Sequence, residues 1–174
     1  MPSVIFVCTA NICRSPVAEA LFREWLRPRP EAAALLVGSA GTWASAGQPA
    51  SEEACALLAE AGLDLSAHRS RRLDRPMMAT ADLLLCMTRS QREALQVEFP
   101  DRASRIQLLS AMAGQVFDVA DPYGGPRAGY VAMIAEIKQL VEAGGPRILE
   151  LAGLPRRVAL PQTAPLKPKR PDAS

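Results

Sequence analysis

Cys8 and Arg14 bracket five residues in the segment Cys8-Thr9-Ala10-Asn11-Ile12-Cys13-Arg14-Ser15-Pro16. A cysteine thiolate in an anion cradle is a nucleophile that can attack phosphorus. An arginine supplies a planar fork able to grip two phosphate oxygens. The loop from Cys8 to Arg14 is short enough to turn its N–H groups around a tetrahedral oxyanion. A helix opening at Ser15-Pro16 adds further N–H donors and the positive end of its dipole. Ser15 is close enough in the chain to donate a hydrogen bond to the sulfur. On its own, a Cys-x5-Arg spacing reads as a buried cysteine and a surface arginine. Specificity comes from the context of an entering strand, a short loop and a helix start.

A phosphate ester also needs an acid to protonate its leaving oxygen. Asp121, in Asp121-Pro122-Tyr123-Gly124-Gly125, is the candidate. Alone it reads as an ordinary Asp-Pro turn, and its pairing with Cys8 gives it a role. Tyr123 offers a flat wall for a ring. Together these residues imply release of phosphate through a cysteinyl-phosphate intermediate.

The elements that must position these residues follow from apolar patterning. Residues 3–7 read as a short buried strand ending at Cys8. A helix follows, with Val17, Leu21, Trp25 and Ala18, Phe22 at helical spacing, stopping before Pro28. Residues 35–39 form a second strand, and Gly41 and Gly47 mark a loop carrying Trp43. Ser51 caps a helix supported by Glu52 and Glu53 and ended by Gly62. Residues 83–87 are a third strand, followed by a helix over about 90–97. Residues 106–109 are a fourth strand, and 118–129 a turn-rich loop. A helix runs over 130–141, ended by Gly144-Gly145-Pro146, with a further short helical segment over 148–154. Alternating strands and helices predict an α/β fold, a three-layer αβα arrangement around a four-stranded parallel, doubly wound, flavodoxin-like sheet. In such a sheet the loops at the carboxyl ends of the strands line one crevice, which would bring Asp121 over the cradle.

The 174 residues suffice for one domain with its own core, assigned to residues 1–154. Residues 155–174 are rich in Pro, Lys and Arg and read as a disordered tail. The net charge of +2 gives no field pointing to nucleic acid or membrane. No secretory leader and no run of apolar residues long enough for a membrane helix is evident, so a cytoplasmic protein is expected. Cys8, Cys13, Cys55 and Cys86 lack the paired spacing of a zinc site and are expected to be thiols in a reducing compartment. No metal or other cofactor is implied, and a monomer is expected.

The residues resemble the low-molecular-weight protein tyrosine phosphatase family. VCTANICRSP is similar to its N-terminal loop, SAGT (starting at Ser39) to its second-strand motif, and DPYGG to its acid loop, in matching order over roughly residues 3–145. The resemblance implies that Cys8 is the nucleophile, Arg14 the phosphate clamp and Asp121 the general acid. It implies that Asn11, Ser39 and His68 form a network supporting the loop, with Asn11 in a left-handed conformation. Cys13 matches a second loop thiol able to form a disulfide with oxidised Cys8, which would make the enzyme redox-sensitive; a plain packed side chain is the other reading. Ala10 stands where the family usually has Gly, and a positive φ there would be costly.

Thr9, Ile12, Trp43 and Tyr123 match the rim of the pocket, and aromatic walls suit a phosphotyrosine ring. The substrate is then a phosphorylated protein, with inorganic phosphate as product or inhibitor. DPYGG and the stretch TRSQREAL, which begins at Thr88, also resemble a bacterial branch that includes protein arginine phosphatases. In that branch the position of Ile12 is typically Thr. Ile12 is apolar and cannot donate a hydrogen bond, which favours tyrosine and leaves arginine as the alternative. Arsenate reductase chemistry, which needs a thiol relay beyond Cys86 and Cys55, ranks behind both. So does an inactive phosphoprotein-binding module, given Cys8, Arg14 and Asp121 together.

Overall fold

The computed structural model describes residues 1–154. The tail assigned to 155–174 lies outside the described residues. Strands β1 (Ser3–Cys8), β2 (Leu36–Gly41), β3 (Leu83–Cys86) and β4 (Ile106–Leu108) form one parallel sheet in the order β2-β1-β3-β4. From β1 the chain crosses to β2 on one side, then returns past β1 to β3. That reversal opens a crevice at the carboxyl ends of the central strands, where Cys8 terminates β1.

The strands are buried on both faces, and their side chains alternate between two cores. Val4, Phe6 and Cys8 join Leu83, Leu85 and Met87 on one face. Ile5 and Val7 join Leu84 and Cys86 on the other. The first face is covered by α1 (Arg14–Leu26), α2 (Glu52–Glu60), α5 (Leu109–Met112) and α6 (Arg127–Leu151). α1 contributes Val17, Ala18, Leu21 and Phe22, with Phe22 edge-on to Phe6 at 5.5 Å. The second face is covered by α3 (Arg75–Thr80) and α4 (Arg89–Glu98), through Met78 and Leu95.

Several elements depart from the sequence expectation, among them α5, where Leu109 opens a helix rather than ending the fourth strand. α6 does not stop at Gly144-Gly145-Pro146 but runs through them to Leu151 as one helix. The glycines are there for close packing. A Cβ on Gly144 would sit 2.7 Å from Cβ of Met112, and one on Gly145 would sit 2.4 Å from the Trp25 ring. Pro146 costs the helix a hydrogen bond, but the buried Ile148 and Leu149 hold the last turns against the core. The short helix α3 was not expected. Its six residues are too few to show a periodic apolar face, yet Asp74 caps it by accepting from the Met77 N–H at 2.8 Å, and Pro76 sits in its first turn. Ser51 does occupy the N-cap position of α2, but its hydroxyl makes no capping hydrogen bond.

Candidate active site

Where β1 ends and α1 begins, the loop turns back on the Cys8 sulfur. Cys8 Sγ lies 3.0 Å from Ser15 Oγ and accepts the N–H of Asn11 at 3.3 Å. Asn11 has φ of 57°, the one positive φ outside glycine among the described residues. That left-handed turn lets its N–H face the sulfur, and its side chain then braces the loop. Nδ2 donates to Ser15 Oγ at 2.8 Å and Ser39 Oγ at 2.9 Å, and Oδ1 accepts the Arg71 N–H at 2.9 Å. The Asn11 carbonyl accepts from His68 Nε2 at 2.7 Å, which places the ring proton on Nε2. The Ser39 hydroxyl in turn donates a hydrogen bond to Glu19 Oε2 at 2.7 Å. Asn11 is fully buried, so its bonds to the Cys8 sulfur, Ser15 and Ser39 hold the loop with no water competing.

Arg14 is buried at the first turn of α1. Its Nη1 donates to the Val119 carbonyl at 3.1 Å, and its Nη2 donates to Asp121 Oδ2 at 3.0 Å. Its Nε is buried without a partner among the described residues, a donor of the kind an anion in the loop would satisfy. Asp121 is half exposed, and its Oδ1 accepts the Tyr123 N–H at 3.2 Å. The fold thus joins Cys8, Arg14 and Asp121, drawn from two ends of the chain, at one crevice. A sulfur nucleophile, a cationic fork and a carboxylate over an N–H-lined loop can carry phosphoryl transfer.

The family described as low molecular weight phosphotyrosine protein phosphatase matches residues 3–144. The chain belongs to this family.

A probable low molecular weight protein-tyrosine-phosphatase, EpsP of Ralstonia nicotianae, is 35% identical over 149 residues, covering 86% of this chain and 97% of that one. A protein-arginine-phosphatase of Geobacillus stearothermophilus is 36% identical over 140 residues, covering 80% and 90%. The solved structure of the YwlE arginine phosphatase from the same organism superposes with a TM-score of 0.77 at 32% identity, covering 86% and 94% of the two chains. Like its family, the protein is a phosphatase, a hydrolase with a parallel αβα fold.

Several of the other residues expected from the sequence lie around the mouth. Ala10, Ile12, Trp43, Tyr123 and Tyr130 border a crevice of about 740 Å³ that also meets Glu52 and Glu53. Trp43 and Tyr123 are 75% and 67% exposed, so both rings face solvent at the rim, with the Arg72 guanidinium 5.1 Å from the centre of the Trp43 ring. Ala10 has no positive φ, so its methyl carries no backbone cost. Thr9 accepts at Oγ1 from Gln91 Nε2 at 3.1 Å. Gln91 also closes the capping box of α4, accepting the Thr88 N–H while the Thr88 hydroxyl accepts the Gln91 N–H. The Thr88-x-x-Gln91 spacing is the signal that sequence reading passed over.

Beneath the rim, Cys13 is buried with its Sγ 4.0 Å from Tyr130 Oη. Burial pushes the Cys13 thiol up, with Ser51 and Tyr130 pulling against it. Burial also raises the Tyr130 hydroxyl, and the nearby Cys13 adds to it. All four cysteines are free thiols. Cys86 lies in the core on the opposite face of the sheet from Cys8, and burial pushes it up to about 12. Neither a metal-holding cluster nor a helix long and apolar enough to cross a membrane is found among the described residues.

Proposed function

We propose that the protein removes phosphate from phosphotyrosine in proteins, with Cys8 as nucleophile, Arg14 as clamp and Asp121 as general acid. The observation that carries this reading is the Cys8 sulfur, held by the Ser15 hydroxyl and the Asn11 N–H in a loop whose arginine reaches Asp121. The Cys8 sulfur forms a bond to phosphorus as the bond to the tyrosine oxygen breaks. Asp121 gives its proton to that oxygen. Water then attacks the cysteinyl phosphate, the Asp121 carboxylate takes a proton from it, and inorganic phosphate leaves as the thiolate is regenerated. Asn11, Ser39 and His68 hold the loop, and Thr9, Ala10, Ile12, Cys13 and Ser15 complete the cradle. Trp43 and Tyr123 receive the ring. On oxidation, Cys13 would capture Cys8 as a disulfide and protect it from further oxidation. A monomer acting in the cytoplasm fits this reading.

Ile12 favours tyrosine, because its branched apolar side chain offers a phenyl ring contact and no hydrogen bond to a guanidinium. The second reading, phosphoarginine, has support in the similarity to a protein-arginine-phosphatase and in Glu52 and Glu53 at the crevice, whose carboxylates suit a guanidinium. Hydrolysis of phosphotyrosine and phosphoarginine, measured side by side for wild type and Ile12→Thr, separates the two. Wild type is expected to favour phosphotyrosine and Ile12→Thr to shift toward phosphoarginine; wild-type preference for phosphoarginine would reverse the assignment. In the same assay Cys8→Ser is expected to abolish turnover and Asp121→Ala to slow it by roughly 10²–10⁴-fold. Wild-type turnover in Cys8→Ser would remove the nucleophile.

A further inference from the structure

Asp121 lies in the segment 113–126, which joins α5 to α6. Three consecutive residues ahead of it are fastened, each to a different element. Phe117 exchanges hydrogen bonds with the Ser110 hydroxyl of α5, which donates to its carbonyl at 2.9 Å and accepts its N–H at 3.2 Å. Asp118 Oδ1 accepts the N–H of Arg89, the first residue of α4, at 2.8 Å, and Arg89 Nε at 3.1 Å. Val119 is buried; its N–H donates to the Met87 carbonyl, just past β3, at 2.9 Å, and its carbonyl accepts from Arg14. Ala120 and Asp121 then emerge into solvent. Val119 alone would fix a point. Val119 and Asp118 together fix the direction in which Asp121 leaves the core.

The two carboxylates of this loop do different work. The Arg89 N–H, at the positive end of α4, holds the Asp118 carboxyl below the ordinary carboxylate range, and the Arg89 guanidinium and the charge of Arg14 add to it against the effect of burial. Asp118 is therefore an anionic acceptor near neutral pH, suited to hold a loop and unsuited to give a proton. Asp121 is left as the donor. The same helix also grips the phosphate loop, because Gln91 Nε2 donates to Thr9 Oγ1 at 3.1 Å. The start of α4 thus serves as one reference for the loop of the nucleophile and the loop of the acid.

We propose that Asp118 is a positioning residue for the reaction: by accepting the Arg89 N–H it sets the acid loop so that Asp121 reaches the leaving oxygen of the substrate. The inference rests on the phosphatase reading above and adds to it the residue on which the aim of its general acid depends.

The test compares kcat/KM on phenyl phosphate, whose leaving oxygen must be protonated, with that on 2,4-dinitrophenyl phosphate, whose leaving oxygen need not be. Asp118→Ala removes the acceptor. Arg89→Pro removes the donor from the other side, and proline suits the first helical position after Thr88, whose backbone is already extended. Each is expected to lose about tenfold on phenyl phosphate and no more than about twofold on the dinitrophenyl ester. Asp118→Asn, which keeps the accepting oxygen, should recover most of the loss. Arg89→Ala, which keeps the N–H, should lose little. Losses of the same size on both esters, wild-type rates in both Asp118→Ala and Arg89→Pro, or Asp118→Asn and Arg89→Ala as slow as their counterparts would overturn the positioning role. Asp121→Ala, assayed alongside, should separate the two esters more widely than either variant. Equal losses there would instead overturn Asp121 as the acid of the phosphatase reading, and the positioning role with it.

Discussion

Asn11 ties the phosphate loop to three parts of the chain: Ser15 on α1, Ser39 on β2, and the 68–71 segment through His68 and Arg71. Its backbone must also be left-handed for the N–H to reach Cys8. The two duties can be separated. Asn11→Ala should cost about 3 kcal/mol or more in urea unfolding, because it leaves buried polar groups unpaired and puts a Cβ at positive φ. Asn11→Gly should recover about 1 kcal/mol of that, since glycine takes the turn freely. Both should lower turnover at least about tenfold, because neither braces the loop. Equal stability of the two variants would show that the backbone turn carries no strain. The contact between Cys8 and Ser15 was legible in the sequence because it joins residues seven positions apart in one loop. Ser39 and His68 were visible only through family resemblance, since their contacts with Asn11 cross 28 and 57 positions. Glu19, Gln91 and the Val119 carbonyl were missed for the same reason: nothing local marks them, except the capping-box spacing at Gln91.

At the scale of elements, the helix-breaking signal at Gly144-Gly145-Pro146 was read correctly as local chemistry and wrongly as structure. Packing overrides it, because α6 must lie close to α5 and α1. In an exposed helix, Gly→Ala would stabilise by roughly 1 kcal/mol. Gly144→Ala should instead destabilise by about 1–3 kcal/mol, because its methyl would press on Cβ and the backbone of Met112. Thermal unfolding decides the sign, and a raised Tm would show that the helices part without cost. The strands were legible because short apolar runs buried on both faces have few other readings. The helix α3 was not, because its stability comes from one capping aspartate and one buried methionine rather than from a periodic face.

For the whole molecule, the sheet partitions its thiols. Cys8 and Cys13 belong to the core of α1 and α6, while Cys86 is sealed in the core on the other face. That places Cys86 outside any relay with Cys8, as the low ranking of arsenate reduction anticipated. It also makes the fold sensitive to alkali. Cys86 titrates at about 12 when folded, against an ordinary value of 9.0. Above pH 9 the unfolded chain therefore loses a proton that the folded chain keeps. The stabilisation is complete below pH 9 and is lost as pH rises toward 12, at up to about 1.4 kcal/mol per pH unit for this group. Cys13 and Tyr130, also raised by burial, act in the same direction. Urea unfolding of wild type and Cys86→Ala between pH 8 and 10.5 should give a shallower pH slope for the variant, whatever its starting stability. Parallel slopes would mean that the thiol titrates alike in both states.

On the proposed reading, the contact between Arg14 and Asp121 makes occupancy of the loop an exchange of anions. An arriving phosphate does not meet a bare cation, because it displaces a carboxylate that already holds Nη2. A departing phosphate leaves that carboxylate free to return. Affinity for any anion is therefore measured against an internal competitor, which limits how long the product can dwell. Removing the carboxylate should make inorganic phosphate and sulfate bind more tightly even as turnover falls.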